Sequence, residues 1–299
     1  MSTANEGVLL LGGPTASGKT EAAIALAHEF GAEIVGADSR QVYRGMPIGT
    51  AAPSPEQRAA VPHHLVAFLD PYERYSAAQF ILDAMRAIEE IHARGKRAIV
   101  VGGTGFYLRA LAGAVALAPQ YDPQLRDRLA REARTHPPAV LYEWLSALDR
   151  TRAAAIHPHD VYRVLRALEV VLAHDGRRTA PLPSLKGRDV PFAYAWLDVA
   201  LEDLDARIER RIDAMLAAGF VEEAERIGGA AAAASAVGYP AATSYVRGWC
   251  TAGELRAMLV RATKQYARRQ RTWFRGEQSA RPVRPEALAS LARESLRWA

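Results

Sequence analysis

Short apolar runs alternate with longer segments of helical periodicity in the first third of the chain. Val8–Leu11 is a continuous apolar run that stops at two glycines, and Arg97–Val101 stops at another pair. Such runs are typical of strands that are buried on both faces of a parallel sheet. Between them, Lys19–Phe30 and Ser76–Arg94 repeat apolar residues on one side, as amphipathic helices do. The alternation predicts an α/β fold with a parallel sheet core wrapped by helices.

Two further segments extend the predicted sheet. Glu33–Ala37 is a short strand candidate that ends at Asp38, and Ala193–Val199 returns to a strand pattern much later in the chain. Gly31 separates the first helix from the second strand, in the position of a helix C-cap. The sheet therefore takes strands from both sides of a long middle region.

The middle region has helical periodicity and no convincing strand. We predict an all-helical insertion over residues 118–187, within an α/β core that is built from residues 1–117 and 188–299 and has basic C-terminal helices. Asp160 is placed as a helix N-cap and Gly176 as a C-cap. The helical candidates are Asp122–Arg134, Ala139–Ala147 and Asp160–His174.

Composition narrows the class of protein. The chain has 299 residues, 49% apolar and 24% charged, which excludes wholesale disorder and suggests about two domains. Cys250 is the only cysteine, so an intramolecular disulfide and a multi-cysteine metal site are excluded. The chain has no apolar run long enough to span a bilayer and no basic leader, so we expect a soluble cytoplasmic protein. Independently of these features, we expect a monomer.

A phosphate-binding motif follows the first strand. The pattern G-x-x-x-x-G-K-[ST] supplies backbone amides that turn toward one anion at the start of a helix. Lys19 adds a full positive charge, and the hydroxyl of Thr20 is a candidate Mg²⁺ ligand. The motif identifies a phosphate or diphosphate but not the group attached to it. Its residues are Gly13, Pro14, Thr15, Ala16, Ser17, Gly18, Lys19 and Thr20.

Two other strand ends carry candidate chemistry. Asp38 closes the second strand, and Thr104 lies in the glycine-rich turn Gly102–Gly105 after another. Ligands of open α/β sheets bind beyond the carboxyl ends of the strands, so both side chains are expected beside the phosphate. Asp38 is a candidate base or Mg²⁺ ligand, with a simple turn cap as the alternative. The glycine-rich turn by itself fits a plain turn equally well.

The histidines do not indicate a metal site. The pair His63–His64 and the pair around Pro158 lack the spacing of a compact zinc site, and no cysteine assists them. We expect structural or surface roles for these histidines.

A cationic face marks the C-terminal region. Arg256–Arg284 contains nine Lys or Arg and a single acid, Glu277, within a chain whose net charge is only +5. Like charges at helical spacing repel one another, which favours a polyanionic partner such as nucleic acid; a solvated charged face is the alternative. The residues on one helical face, called the cationic stripe below, are Arg261, Lys264, Arg268, Arg271 and Arg275.

These motifs, in this order, resemble one family, the tRNA dimethylallyltransferases (tRNA isopentenyltransferases). The resemblance runs from about residue 8 to residue 275. The chain departs from the family pattern at Arg150, His159 and Pro240, outside the presumed catalytic groups. The similar segments are GPTASGKT (13–20), DSRQVYRGMPIGTAAP (38–53), HHL (63–65), VGGTGFYLRAL (101–111), IHPHDVYRVLRALEV (156–170), RIERRIDAMLAAGFVEE (207–223), VGYP (237–240) and YARRQRTWFR (266–275).

The resemblance implies a reaction and its substrates. A dimethylallyl group would pass from dimethylallyl diphosphate to N6 of the adenosine 3′ of the anticodon, position 37, in tRNAs that read codons beginning with U. It implies a P-loop-like core, Mg²⁺ as cofactor, and a helical insertion that closes over the anticodon stem-loop.

The resemblance also assigns residues. Asp38 matches the family's base, Thr104 matches the residue that assists at the reacting centre, and Arg207 with Arg211 would cap the diphosphate. Together with the cationic stripe, the predicted tRNA contacts are Asp38, Ser39, Arg40, Gln41, Thr104, Arg126, Tyr162, Arg163, Val164, Leu165 and Arg166.

Two other functions fit parts of the sequence. An ATP-dependent kinase of a small metabolite would use the phosphate motif equally well, but it needs neither a cationic helix nor a helical insertion. A non-catalytic RNA-binding protein would leave the phosphate motif and Asp38 unexplained. Transfer of a five-carbon unit to tRNA would separate all three.

Overall fold

The structure is a computed structural model, and the chain divides into two compact units. One unit comprises residues 1–115 and 183–299, and the other comprises residues 116–182. The predicted insertion, 118–187, begins and ends within a few residues of the second unit. The residues that the structure describes are 7–115, 117, 123–173 and 182–299.

A six-stranded parallel sheet forms the centre of the first unit, in the order β3-β2-β4-β1-β5-β6. The side chains of β1 and β2 are buried along their whole length, as the unbroken apolar runs predict for central parallel strands. The strands are β1 (Val8–Gly12), β2 (Ala32–Gly36), β3 (His63–His64), β4 (Arg97–Gly102), β5 (Phe192–Leu197) and β6 (Arg281–Val283).

The register brings three strand ends to one edge of the sheet. Gly12 at the end of β1 pairs with Gly102 at the end of β4, and Gly36 at the end of β2 pairs with Val101. The segments that follow these strands therefore begin side by side. Gly102 permits this closeness, because a Cβ there would lie 2.0 Å from the carbonyl oxygen of Ala37. This edge carries the phosphate motif, Asp38 and Thr104.

Helices surround the sheet of the first unit. The predicted helix Lys19–Phe30 is found with the same bounds, and Gly31 caps it in the left-handed conformation. Ser76 lies one residue outside its helix because its side chain caps the helix N-terminus. The helices of this unit are α1 (Lys19–Phe30), α2 (Pro55–Ala60), α3 (Ala77–Ala93), α4 (Gly105–Ala112), α9 (Leu201–Ala217), α10 (Phe220–Ile227), α11 (Tyr239–Val246), α12 (Ala252–Arg275) and α13 (Leu288–Leu296).

The second unit is helical over its described residues. Its core contains Leu129, Leu141, Leu145 and Leu168, each at most 4% exposed. Asp160 caps the last helix by accepting a hydrogen bond from the backbone N–H of Arg163, as predicted. That helix ends two residues earlier than expected, and the predicted cap Gly176 lies outside the described residues. The helices are α5 (Pro123–Thr135), α6 (Pro138–Leu148), α7 (Arg150–Ala154) and α8 (Val161–Leu172).

The length and hydropathy of the helices bear on whether any of them could span a membrane. Within the described ranges, no helix combines the length and the apolar character needed to cross a bilayer.

Candidate active site

The phosphate motif forms a tight loop between β1 and α1. The backbone N–H of Ser17 donates to the carbonyl oxygen of Pro14 at 3.3 Å, and Gly18 adopts a left-handed conformation (φ 88°) directly before the helix. Ala16 also has a positive φ of 63°, an unusual conformation for a residue with a Cβ. The strained turn places the loop at the positive N-terminal end of α1, as an anion-binding loop requires.

Lys19 is held beneath this loop. Its Nζ donates to the carbonyl oxygen of Pro14 at 3.2 Å. Burial lowers the pKa of Lys19 to about 8, the charge of Asp38 acts to raise it, and the nearby charge of Arg211 lowers it further. A lysine whose charged form is disfavoured gains interaction energy from a bound anion, so the site is electrostatically prepared for one.

Two arginines of α9 contact the same loop. Arg207 Nη1 donates to the carbonyl oxygen of Ser17 at 3.3 Å, and Arg211 Nη1 donates to the hydroxyl of Thr15 at 3.3 Å. The two side chains lie one helical turn apart, and burial lowers the pKa of Arg211. The structure thus brings both arginines against the phosphate loop; that they cap a diphosphate stays a prediction.

Asp38 and Thr104 lie on adjacent strand-end segments that are bonded to each other. Asp38 Oδ1 accepts the N–H of Arg40 at 2.9 Å, and Thr104 Oγ1 accepts the N–H of Ser39 at 3.0 Å. The N–H of Thr104 also donates to the carbonyl oxygen of Ala37 at 3.2 Å. The two predicted catalytic groups are therefore anchored side by side by backbone bonds.

A cavity beside these groups is lined by the phosphate loop, Asp38 and Arg211, whereas Thr104 and Arg207 lie outside its lining. It has a volume of about 370 Å³, and Lys19, Thr20 and Asp38 all line it. An apolar part of its wall is formed by Ile212, Met215 and Leu259. The cavity thus offers cations and a carboxylate together with an apolar surface, which suits a ligand that joins an anionic group to a hydrocarbon.

Arg40 and Gln41 frame the cavity and are themselves anchored. Arg40 Nη2 donates to Ser235 Oγ at 3.2 Å. Gln41 Nε2 donates to the carbonyl oxygens of Thr50 and Ala51 at 3.1 and 3.0 Å. Both side chains line the cavity, as does Ser39, so the predicted segment after β2 lies at the site.

A buried carboxylate supports the loop that anchors Gln41. Glu223 is fully buried and accepts the N–H groups of Ile48 and Gly49 at 2.9 and 2.7 Å, and the hydroxyl of Tyr239 at 2.7 Å. Four acceptor sites of a carboxylate are thus largely used, which stabilises the charge in a buried position.

Sequence reasoning missed several cavity residues of α12. Tyr266, Arg269 and Gln270 all line the cavity, and Gln270 is only 6% exposed. The helical position of Gln270 could have predicted its burial, because it falls on the same helical face as the aromatic Tyr266 and Trp273. A polar residue within an apolar stripe indicates a buried hydrogen-bonding role.

Carboxylates pair with four of the five cations of the cationic stripe. The argument from the sequence that these like charges repel one another without compensation is therefore wrong. Lys264 Nζ lies 2.6 Å from Glu209 Oε1, and Arg271 Nη2 lies 2.9 Å from Asp198 Oδ1. These acids precede α9 or lie on it, and they balance charges that looked isolated along α12. Further pairs join Lys264 and Arg268 to Asp205, and Arg275 to Asp198. Arg261 makes no ion pair with any described residue and is exposed.

Within the second unit, the predicted tRNA contacts separate into two groups. Arg126 and Arg166 both pair with the buried carboxylate of Glu169, at 2.9 and 2.7 Å. Tyr162 is 81% exposed, and Arg163 is also exposed, although its Nε pairs with Asp160 Oδ2 at 3.2 Å. In contrast, Val164 is fully buried and Leu165 packs against the same core, so their side chains stabilise α8 rather than form its surface.

The described residues contain no cluster of metal ligands. In the described part of the chain, no three His, Cys, Asp or Glu side chains converge on a point. His64 Nε2 instead lies 2.7 Å from Glu33 Oε2, and His63 Nδ1 lies 2.7 Å from the carbonyl oxygen of Val61. These histidines have structural partners.

Comparisons with known proteins agree on one family. A family profile described as IPP transferase matches residues 41–277, and a second, described as isopentenyl transferase, matches residues 6–67. The tRNA dimethylallyltransferase of Geobacter sulfurreducens is 40% identical over 296 residues, covering 95% of each chain. That of Anaeromyxobacter dehalogenans is 44% identical over 293 residues, covering 94% of this chain and 97% of the relative.

Solved structures give the same result. The full-length tRNA isopentenylpyrophosphate transferase of Bacillus halodurans is similar with a TM-score of 0.71 and 32% identity, covering 98% of this chain and 97% of that one. A eukaryotic dimethylallyltransferase described as acting on tRNA is similar with a TM-score of 0.76 and 26% identity, covering 97% of this chain and 76% of that one.

Proposed function

Because the chain belongs to the tRNA dimethylallyltransferase family, we propose that it transfers a dimethylallyl group from dimethylallyl diphosphate to N6 of adenosine 37, 3′ of the anticodon. The acceptors are tRNAs that read codons beginning with U. The single observation that carries the proposal is the shared cavity, in which Lys19 and Asp38 meet an apolar wall. We place the enzyme in the cytoplasm as a monomer.

The kinase alternative is not supported. The relatives that match nearly the full length of this chain are tRNA dimethylallyltransferases, which supports a prenyl diphosphate rather than ATP as the ligand of the phosphate loop. The alternative of a non-catalytic RNA-binding protein also fails, because the family is one of enzymes.

Asp38 takes the proton in the proposed reaction. The N6 amine is a poor nucleophile because its lone pair is delocalised into the adenine ring. As the N6–C1 bond forms and the C1–O bond to diphosphate breaks, N6 becomes acidic and a nearby carboxylate accepts its proton. The hydrogen bond from the N–H of Arg40 holds the Asp38 carboxylate in place for that transfer.

The phosphate loop stabilises the departing diphosphate. Negative charge on the leaving group grows as the C1–O bond breaks, so fixed positive charges lower the barrier. Lys19, Arg207 and Arg211 supply three cations around the loop, whose amides add further donors. The apolar wall would hold the hydrocarbon and exclude water that would otherwise compete for the allylic carbon.

The cavity fits Mg²⁺ bound through the substrate. Thr20 and Asp38 line it, without the carboxylate cluster of an all-protein site in the described residues. Mg²⁺ typically takes one or two protein ligands and completes its shell with phosphate oxygens and water. Thr20 would hold the ion, and bound Mg²⁺ would offset charge on the diphosphate.

We propose that the anticodon stem-loop contacts both units. The exposed Tyr162 and Arg163 offer a ring for stacking and a cation for phosphate. Arg126 and Arg166, together with the cationic stripe, would contact further phosphates. In the first unit, Ser39, Arg40 and Gln41 line the cavity where the flipped adenine would enter, and Thr104 Oγ1 accepts the N–H of Ser39.

A product assay tests the function. The protein is incubated with tRNA and Mg²⁺, with either dimethylallyl diphosphate or ATP, and the tRNA is digested to nucleosides for mass spectrometry. We expect a five-carbon gain on one adenosine with the first donor and no phosphorylated product with ATP. An unmodified adenosine with the prenyl donor would overturn the proposal.

A further inference from the structure

We propose that Gln270 is a positioning residue that sets the spacing between the phosphate loop and the turn that carries Thr104; this rests on the proposed transfer reaction. Gln270 is in α12 and 6% exposed. Its Oε1 accepts the backbone N–H of Thr15 at 2.8 Å, and its Nε2 donates to the carbonyl oxygen of Gly103 at 2.8 Å. One amide thus bridges the phosphate loop and the turn that precedes Thr104.

Both partners of Gln270 are backbone groups of loops that carry the chemistry. Thr15 lies within the phosphate loop, where its hydroxyl also accepts a hydrogen bond from Arg211. Gly103 is adjacent to Thr104, whose hydroxyl anchors the segment that follows Asp38. A continuous series of hydrogen bonds therefore connects Arg211, Thr15, Gln270 and the turn at Gly103.

The fit around Gly103 supports this role independently. A Cβ at Gly103 would lie 2.3 Å from Gln270 Nε2 and 3.4 Å from Asp38 Oδ2. The position leaves no room for a side chain between the amide and the turn, and it lies directly beside the candidate base. Gln270 therefore packs against the turn at Gly103, which lies beside Asp38.

Gln270 acts through its neighbours rather than on the substrate. The N–H of Thr15 is already bonded to Gln270, so this amide orients the loop instead of adding a donor for phosphate. Bond formation and bond breaking at one carbon require close alignment of N6, C1 and the leaving oxygen. A shift of one loop against the other should therefore reduce the transfer rate more than donor binding.

The test uses Gln270→Glu, with Gln270→Leu as a second variant. A carboxylate still accepts the N–H of Thr15 but repels the carbonyl oxygen of Gly103, and its charge also weakens binding of the anionic donor. At saturating donor, the single-turnover rate should therefore fall at least about tenfold. Protonation of the new carboxyl restores a donor, so the rate relative to wild type should recover as the pH falls. Gln270→Leu should lose both rate and donor affinity.

Gln265→Leu is the matched control, because Gln265 lies exposed on the same helix. It should react like wild type, and circular dichroism of every variant confirms that it is folded. A folded Gln270→Glu with a rate within about twofold of wild type and no pH-dependent recovery would overturn the positioning role. A wild-type protein that forms no product would instead overturn the proposed function, so the two failures are distinguishable.

Discussion

The phosphate loop and the cationic stripe are both rich in Lys and Arg, yet their cations have different partners. Lys19, Arg207 and Arg211 donate to carbonyl or hydroxyl oxygens, which leave the positive charge uncancelled. Lys264 and Arg271 donate to carboxylates, which neutralise it. The phosphate loop therefore presents net positive charge to a ligand. In the cationic stripe, most of the positive charge is paired with the acids of α9 and with Asp198, and these pairs hold α12 in place. The spacing of cations along one helix does not show whether carboxylates neutralise them.

The largest expected effect comes from Asp38, the carboxylate beside the phosphate loop, compared with Asp205, a carboxylate that pairs with the cationic stripe. Asp38 makes no ion pair with a described residue, whereas Asp205 pairs with Lys264 and Arg268. Asp38→Asn should lower the single-turnover rate at saturating tRNA and donor by about 10²–10⁴-fold and leave donor affinity nearly intact. Asp205→Asn is the matched control and should keep a rate near that of wild type.

The same variant separates two roles of Asp38. If the carboxylate held Mg²⁺ instead of taking the proton, Mg²⁺-dependent donor binding would weaken together with the rate. A single-turnover rate near wild type would show that the proton leaves by another route, and the contrast between the two carboxylates would disappear.

A smaller effect follows from the opposite pKa shifts of two lysines. Burial lowers the pKa of Lys19 to about 8, whereas the hydrogen bond to Glu209 raises the pKa of Lys264. Bound diphosphate favours charged Lys19, so binding above pH 8 must take up a proton. Affinity for a non-reacting donor analogue should be constant below about pH 8 and weaken above it, by at most about tenfold per pH unit.

Lys19→Arg is the control for this titration, because arginine stays charged throughout and the ionisation of the ligand is common to both proteins. Calorimetry over a pH series should show the bend near pH 8 in wild type and not in the variant. The same bend in both proteins would assign it to the ligand and contradict the role of Lys19.

The smallest effect tests the stripe itself. Arg261 has no described ion-pair partner, whereas Arg271 is paired with Asp198. If the stripe binds tRNA as proposed, Arg261→Ala should flatten the slope of log K against log[salt] by about 0.7–0.9, the value for one phosphate contact. Arg271→Ala should change the slope much less, since its charge is already balanced. Equal changes would show that the ion pairs open when tRNA binds.

The sequence predicts those parts of the site that local chemistry determines. The phosphate loop and α1 are found with their predicted bounds, because the glycines, the lysine and the cap at Gly31 act within a few residues of one another. Asp38 and Thr104 are brought together because parallel strands end at one edge. The two-residue β3 and three-residue β6 were missed, because such short strands carry no measurable alternation.

Contacts between distant segments explain the rest. The acids that balance α12 lie on or before α9, and only the four-residue spacing of Asp205, Glu209 and Asp213 indicated a face complementary to the stripe. Gln270 bonds to residues 255 and 167 positions away, which no periodicity reports. The sequence shows which residues are charged, but their ion-pair partners depend on which helices pack together.

The most direct test compares one lysine from each region by calorimetry with a non-reacting donor analogue. Lys19→Ala removes a cation that faces the ligand and should weaken binding by about 1.5–3 kcal/mol, or more than tenfold. Lys264→Ala removes a cation that faces Glu209 and should leave donor affinity within about twofold. Unchanged affinity in Lys19→Ala, or an equal loss in both variants, would contradict the assignment of the phosphate loop as the donor site.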